Sequence, residues 1–325
     1  MLATGKIGVL LMNMGGPEDL DGIRPYLTRV LSDRDLIRMP GGFLYQPMLA
    51  RIVARLRELT VRDRYAAIGG GSPLLAETRK LADALATRLD TPVAVAMRYS
   101  PPSVRKAAEE LVSQGATHLV AIPLYPQYSS STTFSSLQDF LRQVDGVMPY
   151  SVIDRHFRCD GYVEAMANLL KDSVQQLDEA AGSHILFTAH SIPTSYTAAG
   201  DPYINEVKRT VATVANRAGV SLPYSLAFQS AVRFGKWHGP SLEEELERLT
   251  ARGITGIVVQ PVSFVSENLE TMYDLDICFR KLCLKRGIRQ FLRVRTPGLE
   301  QPYVEGLALL VENLAERDRE SCAMS

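Results

Sequence analysis

LVSQGATHLVAIP at residues 111–123 lies over LTARGITGIVVQP at residues 249–261 without a gap. Each stretch reads as a helix end, a glycine stop, a short apolar run and a proline. An apolar run of this length with no polar alternation suits a parallel strand buried on both faces. The match extends outward from there. AMRYSPPS at 96–103 resembles LAFQSAVRFGKWHGPS at 226–241, and LLMNMGGP at 10–17 has its counterpart in ILFTAHSIP at 185–193. The chain reads as a duplicated strand-and-helix unit.

Six apolar runs carry the strand pattern: Ile7–Met12, Val93–Met97, Leu119–Leu124, Ile185–Ala189, Tyr224–Phe228 and Ile257–Val262. Helical patterns separate them. Residues 241–252 open with Ser241 and Glu244 at capping-box spacing and stop at Gly253. Residues 202–218 start after Asp201 with Pro202 in the first turn and place Ile204, Val207, Val211 and Val214 on one face. The alternation predicts an α/β fold of two similar Rossmann-like, doubly wound domains with parallel sheets. The expected domains are 1–165 and 166–325, with the last helix free to pack back on the first. Ligand sites of such sheets form at carboxyl strand ends, so a cleft between the two domains is expected.

The 325 residues balance 36 Lys and Arg against 36 Asp and Glu, which gives no overall field to attract nucleic acid. No apolar run reaches the roughly 18 residues that a membrane span requires, and the N-terminal residues show no credible cleavage site. A cytoplasmic protein is expected, with peripheral membrane contact left open. Cys159, Cys278, Cys283 and Cys322 form no C-x-x-C pair, so neither a zinc site nor a disulfide framework is indicated. Residues 24–56 stand apart: Leu27, Val30, Leu31, Met48, Ile52 and their apolar neighbours sit among arginines. They form either a helix pair packed on the core or an exposed apolar lip for a greasy ligand or a membrane surface.

His190 follows the strand Ile185–Ala189 directly and so stands at a carboxyl strand end. His118, His156, His184 and His238 have weaker placements. After the last repeat strand, SENLET at 266–271 leads into a helix on which Glu270, Asp274 and Cys278 fall at i, i+4 and i+8 along one face. Such a row is either a solvated helix face or a site that needs a cation or a shared proton. Gly69-Gly70-Gly71-Ser72-Pro73 lacks the spacing of a phosphate loop, and no G-x-S-x-G elbow accompanies His190 and Ser191. What remains is an imidazole, carboxylates, several tyrosines and an apolar mouth, a set suited to a flat apolar molecule and a metal ion.

Ten ordered motifs carry a family resemblance over nearly the whole chain. They are LMNMGGPE at 11–18, LSDRDLI at 31–37, YAAIGGGSPL at 65–74, RYS at 98–100, YPQYSSSTT at 125–133, FTAHSIP at 187–193, GDPYINEV at 200–207, FQS at 228–230, W237 with GP at 239–240, and FVSENLETMYDLDI at 264–277. The chain resembles the ferrochelatases, which insert ferrous iron into a porphyrin to form haem. The resemblance implies a class II chelatase-like fold, with porphyrin and ferrous iron as substrates. It implies His190 as the iron-facing base, Glu270 as its carboxylate partner, and Asp274 as the outward continuation of an acidic path. It matches Met14, Tyr65, Ser72, Arg98, Tyr99, Tyr125, Trp237 and Phe264 to porphyrin-lining positions, and residues 27–53 to the apolar lip.

Three positions depart from the family pattern. Asn268 stands where many relatives have histidine, and an amide cannot take up a proton. Cys278 stands where some relatives continue the acidic row. Ser130 and a single C-terminal Cys322 replace the cysteines of cluster-bearing members, so no cofactor and no iron–sulfur cluster is expected. Protoporphyrin IX suits the greasy 24–56 segment better than coproporphyrin III, which has four carboxylates. The alternatives are a coproporphyrin III ferrochelatase, a cobalt chelatase for a more polar tetrapyrrole, and a non-catalytic porphyrin or haem carrier.

Overall fold

Runs of Val, Ile and Leu with no polar face become strands covered on both sides, and the computed structural model shows how they are ordered. It describes residues 6–36, 42–144, 146, 148–178, 182–231 and 235–323, with side chains for all of these except 42–44 and 318–323. The chain divides into two compact units, Met1–Cys159 with Val304–Ser325, and Asp160–Tyr303.

The first unit runs β1 (Ile7–Asn13), α1 (Ile23–Ser32), α2 (Gly42–Ala67), α3 (Leu74–Leu89), β2 (Val93–Met97), α4 (Val104–Ser113), β3 (His118–Pro123), a π-helical turn Ser130–Phe134, α5 (Ser135–Val144) and β4 (Tyr150–Val152). Its sheet has the order β2-β1-β3-β4, with every pairing parallel. The second unit runs α6 (Asp160–Val174), β5 (Ser183–His190), α7 (Thr194–Ala198), α8 (Tyr203–Ala218), β6 (Tyr224–Gln229), α9 (Leu242–Ala251), β7 (Gly256–Pro261), a π-helical segment Glu270–Phe279, α10 (Arg280–Lys285) and β8 (Gln290–Arg293). Its sheet order is β6-β5-β7-β8, again all parallel. The last helix is α11 (Gln301–Ala323).

All six expected strands are present, with ends shifted by two residues at most. The sequence pattern does not reveal β4 and β8, because each is a short edge strand paired on one side and carries no apolar run. In each unit the glycine stop works the same way. Gly115 (φ +87°) and Gly253 (φ +79°) take the left-handed conformation that ends a helix. Ala116 N then donates to Leu111 O at 3.0 Å, and Ile254 N donates to Leu249 O at 3.2 Å. The cores are separate clusters, with Leu10, Leu119 and Phe140 in the first unit and Leu186, Val259 and Phe279 in the second.

The expected α-helical row Glu270, Asp274, Cys278 needs a correction: this segment is wound as a π-helix. A π turn takes in one residue more than an α turn, so positions four apart fall short of a full turn instead of passing it. Glu270 and Asp274 are half-buried and Cys278 is exposed.

Residues 24–56 form a helix pair, α1 against α2. Arg24 pairs with Glu58 at 2.6 Å, and Gln46 Nε2 donates to Leu31 O at 3.1 Å. Ile37 and Met39 lie outside the described residues. The inward face of α2 carries Gln46, Ala50, Ala54, Val61 and Tyr65. The opposite face leaves Tyr45, Met48, Ile52, Leu56 and Leu59 in solvent, with Leu56 75% and Leu59 74% exposed. No described helix is long and apolar enough to cross a membrane.

Candidate active site

β5 is buried at every residue except its last, His190. The backbone there is tied on two sides. His190 N donates to Ser263 Oγ at 3.2 Å, and Ser191 N donates to Gln229 O at 2.8 Å. The buried Tyr203 hydroxyl bonds to Ser263 and to the His190 backbone, and burial pushes its ionisation well up. The ring of His190 is fixed by Nδ1, 2.6 Å from Ser191 O. A carbonyl oxygen only accepts, so Nδ1 carries the hydrogen and the neutral ring presents its lone pair at Nε2. No described residue bonds to Nε2. This is the posture of an imidazole set up as a base or a metal ligand.

The chain leaving β7 runs alongside. Val262 N donates to Thr188 O at 2.9 Å, and Tyr162 Oη donates to Val262 O at 2.8 Å, which brings Ser263 to His190. The following loop prepares the π segment. Asn268 Oδ1 accepts from Thr271 N at 3.1 Å, and Asn268 Nδ2 donates to Ser266 O at 3.2 Å. Both ends of this buried amide are therefore engaged in shaping the loop. Glu267 accepts from Arg293 Nη1 at 2.9 Å, Thr296 N at 3.0 Å and Thr271 Oγ1 at 2.7 Å. Burial raises its carboxyl, but Arg293 and these donors outweigh burial and hold it below the ordinary value. Glu270 makes no hydrogen bond or ion pair with any described residue. Among the described residues, His190, Glu270 and Asp274 are not drawn into a three-ligand metal cluster.

Sequence reasoning missed Glu267, Ser263 and Arg293. Glu267 lies inside the SENLET motif and was available as a signal. Arg293 comes from an unrecognised edge strand and gave none.

In the first unit, Met14 follows β1, and its N donates to the Asn13 side-chain oxygen at 2.8 Å while its O accepts from Tyr99 N at 3.0 Å. Arg98, Tyr99 and Ser135 converge on one carboxylate. Asp33 Oδ2 accepts from Arg98 Nη2 at 2.8 Å, Tyr99 Oη at 2.6 Å and Ser135 Oγ at 2.6 Å. Burial raises Asp33, and these donors more than reverse it, so its carboxyl lies below the usual range. Tyr99 is buried and its ionisation is pushed well up by burial and by Asp33. Tyr125 bonds to Ser136 Oγ at 3.3 Å, and burial pushes it up to about 12. Tyr65 is buried and Ser72 half-buried. The GGGSP turn is a packing device: a Cβ on Gly71 would lie 2.1 Å from the Glu18 carbonyl, and one on Gly16 would lie 2.5 Å from Ser72 Oγ. Trp237 and Phe264, in the second unit, are half-buried.

The remaining histidines are structural. His118 bonds to Ser151 at 3.0 Å and His184 to Ser225 at 2.8 Å, both at strand starts. Burial pushes His184 down to about 4 and His156 to about 3. His238 bonds to Thr197.

The ferrochelatase family model matches residues 6–315. The chain belongs to the ferrochelatase family. It is 37% identical to a ferrochelatase of Synechococcus elongatus, over 97% of this chain and 84% of the relative. It is 38% identical to a ferrochelatase of Synechocystis sp., over 94% and 82% respectively. In three dimensions it is similar to SirB from Bacillus subtilis, solved with Fe3+, with a TM-score of 0.57 and 14% identity over 97% of this chain and 98% of that one. It is also similar to CbiX, the terminal enzyme of siroheme biosynthesis in denitrifying bacteria, with a TM-score of 0.54 and 13% identity over 94% and 98%. These two likenesses establish the chelatase-like fold of paired parallel-sheet units. As a ferrochelatase, the chain inserts iron into a porphyrin in haem synthesis.

Proposed function

We propose that His190 and Glu270 carry out the metal insertion, with protoporphyrin IX as the macrocycle. The observation that carries this reading is the bond from His190 Nδ1 to Ser191 O, which fixes the ring with its Nε2 lone pair presented. Inserting Fe2+ into a porphyrin releases two pyrrole protons, so the site needs a base that works near neutral pH and a carboxylate that favours the cation. Imidazole supplies the first. Glu270, half-buried and held by no described partner, supplies the second without first breaking an ion pair, and Asp274 continues the acidic row toward solvent. Iron is a substrate that has to leave with the product, and an open site suits a transient ion better than a closed cage does. Porphyrin contact through Met14, Tyr65, Ser72, Arg98, Tyr99, Tyr125, Trp237 and Phe264 belongs to the same proposal. So does catalysis without an iron–sulfur cluster, since buried Cys283 is pushed up to about 12 and Cys278 is exposed and distant in sequence from Cys159.

The preference for protoporphyrin IX and for a peripheral place at the cytoplasmic face of a membrane rests on α2. Tyr45, Met48, Ile52, Leu56 and Leu59 recur at three- and four-residue steps, so they form one exposed stripe. Arg51 and Arg55 flank it on one side, the pattern of a helix lying in a lipid interface.

The test is anaerobic incubation with ferrous iron and protoporphyrin IX for the wild type, His190→Ala and Glu270→Gln. Loss of turnover by about 100-fold or more in His190→Ala is expected from removal of a general base. Equal activity in all three proteins would end the assignment. Much faster metallation of coproporphyrin III would end the substrate preference.

A further inference from the structure

Arg293 closes β8 with a side chain only 12% exposed, and it grips two carboxylates at once. Nη1 donates to Glu267 Oε1 at 2.9 Å, and Nε donates to Asp276 Oδ1 at 2.7 Å. Glu267 lies three residues before Glu270 and Asp276 six residues after it, so the guanidinium spans the stretch that carries the proposed carboxylate. Glu267 is tied further. Its Oε1 also accepts from Thr296 N at 3.0 Å and Thr296 Oγ1 at 3.2 Å, while its Oε2 accepts from Oγ1 of Thr271, the residue next to Glu270. One network thus joins the edge strand, the entrance of the π segment and its second turn.

The rigid fork of an arginine is sensitive to how the chain between its two partners is wound. Rewinding one π turn as an α turn changes the residue count per turn by one. Each α residue advances about 100° around the axis, so Asp276 would swing away from the guanidinium while Glu267 stayed. Both bonds are made with the π winding in place, one to Glu267 before the segment and one to Asp276 in its second turn. A buried charge network is weak evidence for stability but a known means of fixing one arrangement among several.

We propose that Arg293 is a positioning residue for Glu270, holding residues 270–279 in their π winding and so setting where the Glu270 carboxylate stands. The proposal rests on the reading of Glu270 as the carboxylate of metal insertion. The Arg293 side chain bonds to Glu267 and Asp276, so its action on Glu270 is through the backbone that these carboxylates belong to.

The experiment uses the full chain with anaerobic ferrous iron and protoporphyrin IX, and compares the wild type with Arg293→Gln, Asp276→Asn, Asp276→Glu and Glu270→Gln. Loss of an outer partner of this kind lowers activity by about 10- to 100-fold. That fall is expected in kcat for Arg293→Gln and Asp276→Asn, with porphyrin affinity from fluorescence quenching unchanged and with most of the activity restored in Asp276→Glu. Amide exchange should accelerate across 268–279 and stay at the wild-type rate in β5 and β7. If Arg293→Gln does not fold, Asp276→Asn decides, because it takes the charge from one arm's acceptor, leaving a neutral amide oxygen, and leaves Glu267 paired. Wild-type kcat in Asp276→Asn would overturn the proposal, as would a fall accompanied by weaker porphyrin binding and faster exchange in β5 and β7. Failure of the underlying reading is distinct from this: Glu270→Gln would then be as active as the wild type.

Discussion

In the first unit β1 ends on Asn13 and hands on to Met14, whereas in the second β5 ends on His190. The registers Met12↔Pro123 and Thr188↔Pro261 make Met14 and His190 equivalent positions. The offset that takes Pro123 to Pro261 also takes Ser103 to Ser241, both helix N-caps, and Gly115 to Gly253, both left-handed stops. Carried into the π turns, it sets Thr133 on Thr271, both fully buried, and Thr132 on Glu270, and just beyond the first unit's turn it sets Ser136 of α5 on Asp274. One scaffold therefore presents a thioether and hydroxyls in one copy, and an imidazole and carboxylates in the other. The charge of the first copy is spent internally, between Asp33 and Arg98. The framework that builds a strand end is thus separable from the chemistry placed on it, and the second copy carries the groups able to move protons and favour a cation.

The most direct way to break this comparison is to give the second unit the residue of the first. His190→Met puts an unbranched side chain of similar reach at the strand end and replaces the basic imidazole nitrogen with a thioether that takes up no proton near neutral pH. Turnover with ferrous iron and protoporphyrin IX should fall by about 100- to 10,000-fold, the range of a lost general base. Porphyrin binding, read by fluorescence quenching, should persist. Near wild-type turnover would mean that the two strand ends do not differ in chemistry.

The next effect lies in the first unit and concerns stability. Asp33, with a side chain 4% exposed, is the common acceptor for Arg98, Tyr99 and Ser135. Asp33→Ala leaves two hydroxyls without their shared acceptor and the half-buried Arg98 guanidinium with only its 3.4 Å pairing to Asp139, and should cost about 2–4 kcal/mol in urea unfolding. Glu267→Gln, in a side chain 23% exposed and still able to accept through its amide oxygen, should cost about 1–3 kcal/mol. Both carboxyls are depressed in the folded state, Asp33 from 3.8 and Glu267 from 4.5. The unfolded chain then binds more protons near those values, so stability rises with pH there. The contribution is complete above about pH 5 and is lost as pH falls through 4.5 and below. Asp33→Asn should flatten that acid-side loss, and an unchanged slope would show that Asp33 is not depressed by folding.

Much of the scaffold is legible in the sequence because buried parallel strands leave continuous apolar runs, and the glycines at 115 and 253 mark where each helix must stop. The repeat exposed the architecture twice over. β4 and β8 escape because they are only three and four residues long and carry no apolar run, whereas the other two edge strands, β2 and β6, are longer and carry one. The π winding of 270–279 escapes for another reason. Glu270, Asp274 and Cys278 stay on one side under either winding, and the long-range grip of Arg293 on Glu267 and Asp276 lies beyond any local pattern. His190 was legible by its address after an apolar strand. The tautomer that gives the address its chemistry depends on the Ser191 carbonyl, a backbone atom no sequence pattern displays.

The smallest expected effect tests whether the two copies are equally well built where they share a function. α4 and α9 are both ten residues long and both start on a serine cap. Ser241 Oγ accepts from Glu244 N at 3.2 Å, and Glu244 returns a bond to Ser241 N at 2.7 Å. Ser103 Oγ accepts from Lys106 N at 3.4 Å with no returned bond, and the first turn of α4 has no acidic residue, whereas that of α9 has Glu243, Glu244 and Glu245. Acidic side chains favour the positive end of the helix dipole, and Arg105 and Lys106 oppose it. Ser241→Ala should therefore cost about 1–2 kcal/mol and Ser103→Ala about 0.5–1 kcal/mol in urea unfolding. Equal losses would mean that the returned bond and the acidic turn add nothing. A larger loss at Ser103 would reverse the ranking and place the weaker helix start in the unit that carries His190 and Glu270.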